Sequence, residues 1–195
     1  MQPELIRRLA QDERLARHAG FWWGLTEGLF FFIVPDVYIS FAALFAVRAG
    51  AVSWIASIVG SMVAVCLIYV FSAMPGVEYT RFLTMIPGIS DSLIEQVRRT
   101  MTSQGLPFTP FLVFGGVPLK VYAGLAFSLG LPLGAVLLWT GFARVVRLAP
   151  SFAGAAVARL VFRRSINAHP TAWCALLGGF WLLFYIFYFI RMSRV

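Results

Sequence analysis

The chain alternates long apolar runs with short polar stretches. Residues 3–18 place Leu5, Ile6, Leu9 and Ala10 on one face of a helix, with Glu4–Arg8 and Glu13–Arg17 at favourable i,i+4 spacing. Pro3 suits a first turn. An interfacial amphipathic helix is expected over 1–20. Residues 21–47 are apolar but broken at Val34-Pro35-Asp36. Residues 50–72 form an unbroken run of about the ~20 residues that a bilayer requires. Gly60 and Ser61 lie in its middle, as small residues do at close helix contacts.

The middle of the chain, 73–105, is polar and predicts connecting helices. Pro75-Gly76 and Pro87-Gly88 signal turns. Ser92-Leu93-Ile94-Glu95 has the form of a capping box. It is expected to open a helix with Leu93, Val97 and Met101 on one face and Gly105 at its end. Residues 106–129 are again apolar and again broken, by Pro107, Pro110, Gly115-Gly116 and Pro118. A further span follows over 131–155, carrying Arg144 and Arg147. Residues 159–195 read as a basic loop and a last aromatic-rich span over 170–190, flanked by His169, Arg191 and Arg194.

Composition sets the class of protein. Of 195 residues, 60% are hydrophobic and 12% charged, and the mean hydropathy is +0.83. Soluble domains have about 45–50% apolar and about 25% charged residues. One small integral membrane domain is expected. The first apolar run starts at Phe21 behind a stretch carrying both signs of charge, and it contains Glu27 and Asp36, so a cleaved signal peptide is not expected. The net charge of +8 would suggest nucleic acid in a soluble protein. Here arginines flank the apolar runs (Arg7, Arg8, Arg14 and Arg17 before the first; Arg159, Arg163 and Arg164 before the last), which the positive-inside rule explains without a nucleic-acid partner. Cys66 and Cys174 are isolated in apolar runs, with neither metal-ligand nor redox spacing; no metal or cofactor is expected.

Positions 84 apart resemble one another. Phe30 matches Phe114, Val37 matches Val121, Tyr38 matches Tyr122, Ala42 matches Ala126, and Gly50-Ala51-Val52 matches Gly134-Ala135-Val136. This suggests a duplicated unit: a broken apolar segment and then a full span, over 21–72 and 106–158. Corresponding breaks in two halves point to a transporter site. A break frees backbone polar groups, which survive in a membrane only against protein or water. Two Pro-kinked spanning helices are the plainer alternative. If both broken segments re-enter, Arg48 lies inside with Arg14 and Arg17, while Arg81, Arg98 and Arg99 lie outside. If both span, Arg81, Arg98 and Arg99 move inside and Arg48 moves out, which is the better positive-inside count. The charges at the breaks favour re-entry.

Five charges sit within apolar segments: Glu27, Asp36, Lys120, Arg144 and Arg147. Each costs about 2.5–3.5 kcal/mol at a bilayer centre on insertion scales. The acids fall in the first repeat and the bases in the second, with Asp36 and the only lysine, Lys120, at equivalent positions. Arg144 and Arg147 share a helix face. One outcome is a structural ion-pair network. The other is a site in which Arg144, Arg147 and Lys120 bind a phosphate while Glu27 and Asp36 titrate; a protonated acid would release its arginine for the anion and couple transport to protons.

These residues carry a family resemblance. Glu27-Gly-Leu-Phe-Phe-Phe-Ile-Val-Pro35-Asp36-Val-Tyr resembles the first-hairpin motif of the DedA/VTT (SNARE-associated-like) membrane proteins. Gly116-Val-Pro118-Leu-Lys120-Val-Tyr-Ala-Gly124 is similar to the second-hairpin motif in a Pro-x-Lys variant, and Phe142-Ala143-Arg144-Val-Val-Arg147 to the following Gly-Arg-x-x-Arg signature, with Ala143 in place of Gly. The resemblance covers roughly residues 20–160. It implies an all-α polytopic membrane protein with two inverted repeats, each a re-entrant broken-helix hairpin plus a transmembrane helix. The hairpin breaks would be Pro35, Gly115, Gly116 and Pro118. It also implies translocation of a phospholipid or undecaprenyl phosphate, so membrane lipids with an anionic phosphate are the expected partners. A multi-pass protein of the bacterial inner membrane with a cytoplasmic N-terminus is expected, driven, if at all, by the proton-motive force.

Other classes have their own marks. A proton-coupled exporter of small cations or drugs would use the acids without the arginines. A lipid-phosphate enzyme would need a nucleophile or metal site, and the chain shows no such pattern. A structural or assembly factor would use the charges as a lock. His18, His169, Trp22, Trp23, Trp173, Trp181, Tyr185 and Tyr188 are expected at membrane interfaces or in lipid-facing packing.

Overall fold

In a computed structural model, described over residues 12–75, 78–106 and 117–192, the first helix, α1, runs over Glu13–Leu29. Asp12 caps it, its carboxylate accepting from the amides of Arg14 and Leu15 at 2.8 and 3.0 Å. The boundary expected at residue 20 is absent: the amphipathic and apolar stretches form one helix, because Gly20 is helical and packed rather than a break. Residues 3–11 lie outside the described residues. Glu13, expected to pair with Arg17, instead meets Arg48 at 2.8 Å.

Pro35 opens α2 (Asp36–Phe45), and one extended residue, Ala46, separates it from α3 (Val47–Ser72). Two short elements follow, α4 (Tyr79–Thr84) and α5 (Asp91–Gln104). The cap of α5 is Ser90 and not Ser92: the Ser90 hydroxyl accepts from the Leu93 amide, while Glu95 pairs with Arg98 and Arg99. Leu93, Val97 and Met101 are buried on one face as expected, and Gly105 ends the helix at φ 73°. Pro118 opens α6 (Leu119–Ser128), and Gly130, at φ 80°, lies in the turn before α7 (Leu133–Val161). The expected basic loop contains a short helix, α8 (Arg163–Ala168), followed by α9 (Pro170–Met192). Among the described residues every regular element is helical. Three helices, α3, α7 and α9, are long and apolar enough to cross a membrane.

The chain divides into two compact units. The first comprises the described residues up to Trp23, then Val34–Ser57 and Leu148 onward. There α1 and α2 fold back on each other: Ala16 packs with Ala42, and Trp23 stacks on Tyr38 at 6.0 Å. Helix α3 turns back again, with Gly50 so close to Ala43 that a Cβ would lie 2.6 Å from its Cα. Helices α1 and α3 therefore run parallel in this unit, and a Cβ on Gly20 would lie 2.4 Å from the Ser53 carbonyl oxygen. A core of Ala43, Leu44, Phe45, Ala155 and Ile166 joins α2, α7 and α8. Helix α9 is the exposed element, with most of its apolar side chains on the surface.

The second unit comprises Gly24–Ile33 and Ile58–Arg147. Ser61 donates to the Gly24 carbonyl at 3.4 Å, and a Cβ on Gly28 would meet Ala64 at 2.5 Å. Small residues thus bring the end of α1 onto α3. Helices α4 and α5 pack on α6. Gly124 of α6 lies under the Tyr79 ring, where a Cβ would come within 2.0 Å of it.

Candidate functional site

The close packing around Gly24 and Gly28 places Glu27 inside the second unit, 5% exposed. Arg144 of α7 is 6% exposed in the same unit, and its Nη2 donates to Glu27 Oε2 in a buried ion pair. Such a pair is costly to desolvate and is retained only where its geometry repays the cost. The guanidinium is not fully used: Arg144 Nε is buried and has no hydrogen-bond partner among the described residues.

Lys120, 1% exposed, occupies the first turn of α6, the positive end of that helix. Its ammonium donates to the Phe31 carbonyl at 2.8 Å. That carbonyl lies just beyond the end of α1, where no helical donor remains. The charges of Glu27 and Arg144 both act on Lys120. The Tyr79 hydroxyl lies 3.5 Å from the Lys120 carbonyl oxygen. Burial pushes the Tyr79 phenol far above its ordinary range, so it remains a neutral donor.

Asp36 lies in the first unit, fully buried at the start of α2, where the helix dipole favours its charge. The Ser151 hydroxyl donates to it. In the same unit the Val34 amide, freed by the break, donates to the Tyr185 hydroxyl at 2.7 Å, and Trp181 donates to the Ser40 hydroxyl at 2.9 Å. Trp181 is therefore buried and hydrogen-bonded to the hairpin rather than placed in an interfacial belt, and the Tyr185 hydroxyl also turns inward. His18, His169 and Trp22 are exposed.

Glu27, Lys120 and Arg144 are thus brought together in one unit, with Arg147 half-buried one turn along α7. Pro35 and Pro118 each head a ten-residue helix. Gly115 and Gly116 lie outside the described residues. Sequence reasoning missed three features: the Phe31 carbonyl, the Tyr185 and Trp181 bonds to the first hairpin, and the glycines at 20, 24 and 28. Only the last had a readable signal, a four-residue glycine spacing. Comparison of the chain with family models, curated proteins and solved structures gives no match.

Proposed function

We propose that the protein moves a lipid with an anionic phosphate, a phospholipid or an undecaprenyl-type polyprenyl phosphate, between membrane leaflets, as the resemblance to the DedA/VTT family implies. The observation that carries this reading is the buried Glu27–Arg144 pair with Lys120 close by and Arg144 Nε unused. Arginine presents a planar fork suited to phosphate oxygens, and lysine adds a point charge. In the resting site the carboxylate occupies the arginine. A proton on Glu27 weakens that pairing and frees the guanidinium for the headgroup; Arg147, on the same helix, adds a second cation. Asp36 serves as a further acid on the first hairpin.

The same proposal takes both broken segments as re-entrant and the two repeats as inverted. Helices α2 and α6 have ten residues each, about 15 Å at 1.5 Å per residue, half of a core about 30 Å thick. The Arg48–Glu13 ion pair supports re-entry, since it keeps Arg48 on the side where α1 begins. Cysteine labelling in sealed vesicles tests it: Arg48→Cys is expected to react from inside and Arg99→Cys from outside, and the reverse pattern overturns re-entry.

Leaflet exchange of labelled undecaprenyl phosphate and phospholipids in proteoliposomes tests the activity. The wild-type chain is expected to exchange one of them and the Arg144→Ala/Arg147→Ala variant to lose it. Equal rates would reject the phosphate-binding role of the arginines.

A further inference from the structure

Glu95 is the last acid in the chain, and every charged residue after it is basic. In the first unit this leaves a one-signed corner where α7, α8 and α9 meet. Arg159 is half-buried near the end of α7, and Arg163 and Arg164 are exposed on α8. The acids among the described residues of this unit are engaged elsewhere. Asp12 caps α1, Glu13 meets Arg48, and Asp36 is buried and accepts from Ser151. Among the described residues no acid lies within ion-pair distance of Arg163 or Arg164.

The corner is braced. Ile166 of α8 is fully buried in the core that holds Ala155 and Phe45. The Trp173 indole of α9 donates to the Ser165 hydroxyl at 3.1 Å, and Arg159 donates to the Asn167 side chain at 2.8 Å. The Phe162 and Trp173 rings lie 5.4 Å apart. The two free arginines therefore project from a fixed element, so binding has less backbone to order. Beside them Leu160, Val161 and Phe162 are exposed. Helices α7 and α9 are each long and apolar enough to cross a membrane. With both spanning, α8 lies at one membrane surface, where cationic heads meet lipid headgroups and apolar side chains meet the upper acyl chains.

We propose that this corner holds an anionic phospholipid, its phosphate on Arg163 and Arg164 and its acyl chains along Leu160, Val161 and Phe162. Guanidinium groups present forked donors to phosphate oxygens, and here no neighbouring acid competes for them. A second copy of the chain is a poor occupant, because a symmetric pairing sets the same basic corner against itself. An acidic protein segment matches the arginines but not the apolar side chains next to them. Such a lipid stays with the protein, and holding it needs none of Glu27, Lys120 and Arg144.

The test is photo-crosslinking of the full chain in phosphatidylcholine bilayer discs, read by peptide mapping. One probe is a phosphatidylglycerol with a diazirine near the top of an acyl chain, and the other is its phosphatidylcholine counterpart. The anionic probe is expected to label residues 157–176 several-fold more strongly than the neutral one. Arg163→Gln/Arg164→Gln should weaken its binding there by roughly twenty-five-fold, at about five-fold per arginine near a membrane surface. Should that variant fail to fold, ~1 M salt on the wild-type chain serves instead and should abolish the preference. Equal labelling by the two probes overturns the proposal, as does a preference that survives the double substitution or the salt. An equal drop in Arg98→Gln/Arg99→Gln also overturns it, since net charge alone would then suffice. Inorganic phosphate competing as well as unlabelled phosphatidylglycerol does the same, because the acyl chains would then contribute nothing. In Arg144→Ala/Arg147→Ala the corner label is expected to persist even where leaflet exchange is lost; its disappearance there would mean that the label reports the transport site and not this corner.

Discussion

Lys120 and Phe31 are joined by a 2.8 Å hydrogen bond from a buried ammonium to a carbonyl that its own helix cannot satisfy. The break after α1 leaves backbone groups exposed to an apolar surrounding, and the lysine supplies the missing donor. The only lysine of the chain is thus placed where a cation has both a backbone acceptor and a carboxylate, Glu27, to offset the unfavourable helix end it occupies.

Replacing that donor should be costly. Lys120→Met takes the ammonium donor away from the half-buried Phe31 carbonyl, and a loss of about 1–3 kcal/mol in unfolding free energy is expected. Denaturant unfolding in detergent measures it. An unchanged midpoint would show that the carbonyl finds another donor.

The Glu27–Arg144 pair should show strong coupling. Either single variant, Glu27→Leu or Arg144→Met, strands a buried charge and is expected to lose about 3–5 kcal/mol. The double variant should recover most of that loss, because both charges leave the interior together. A thermodynamic cycle from thermal unfolding reads the difference; additive losses would mean that the pair contributes nothing as a pair.

Glycine positions divide into two classes. Gly20→Val and Gly50→Val place atoms against the backbone of Ser53 and Ala43, and should cost at least about 1–3 kcal/mol. Gly134→Ala and Gly154→Ala meet nothing within 4 Å and lie in α7, so they should be neutral or stabilise by roughly 0.5–1 kcal/mol. Melting temperatures of the four variants separate the classes.

Tyr185→Phe removes the acceptor of the Val34 amide. Local opening at the first break should become easier by about 1 kcal/mol. Hydrogen exchange of the Val34 amide is expected to accelerate while the middle of α3 keeps its protection; acceleration throughout would point to global destabilisation.

The periodicity of apolar residues revealed the three long spans, the break before α2 and the buried face of α5, because each rests on local pattern. The five charges within apolar runs were also readable, since a charge in such a run has few structural uses. What escaped depends on tertiary partners. A backbone carbonyl has no signature in sequence, so the role of Lys120 toward Phe31 could not be foreseen. Trp181 and Tyr185 look like membrane-interface aromatics until the hairpin they bond is in place. Ser90 displaced Ser92 as a cap for the same reason that helix ends are generally hard to fix: two adjacent candidates differ only in which one leaves the helix first.

The polar groups of the first break also set an order of assembly. The Phe31 carbonyl waits for a residue 89 positions later, and the Val34 amide for one 151 positions later. During synthesis this hairpin leaves the ribosome well before either partner. Until α6 and then α9 arrive, its backbone must be kept satisfied by water or by the insertion machinery. The first hairpin is therefore begun early and completed only once the last helix has been made, so a chain cut short before Tyr185 should be exposed to quality control at residues 31–34.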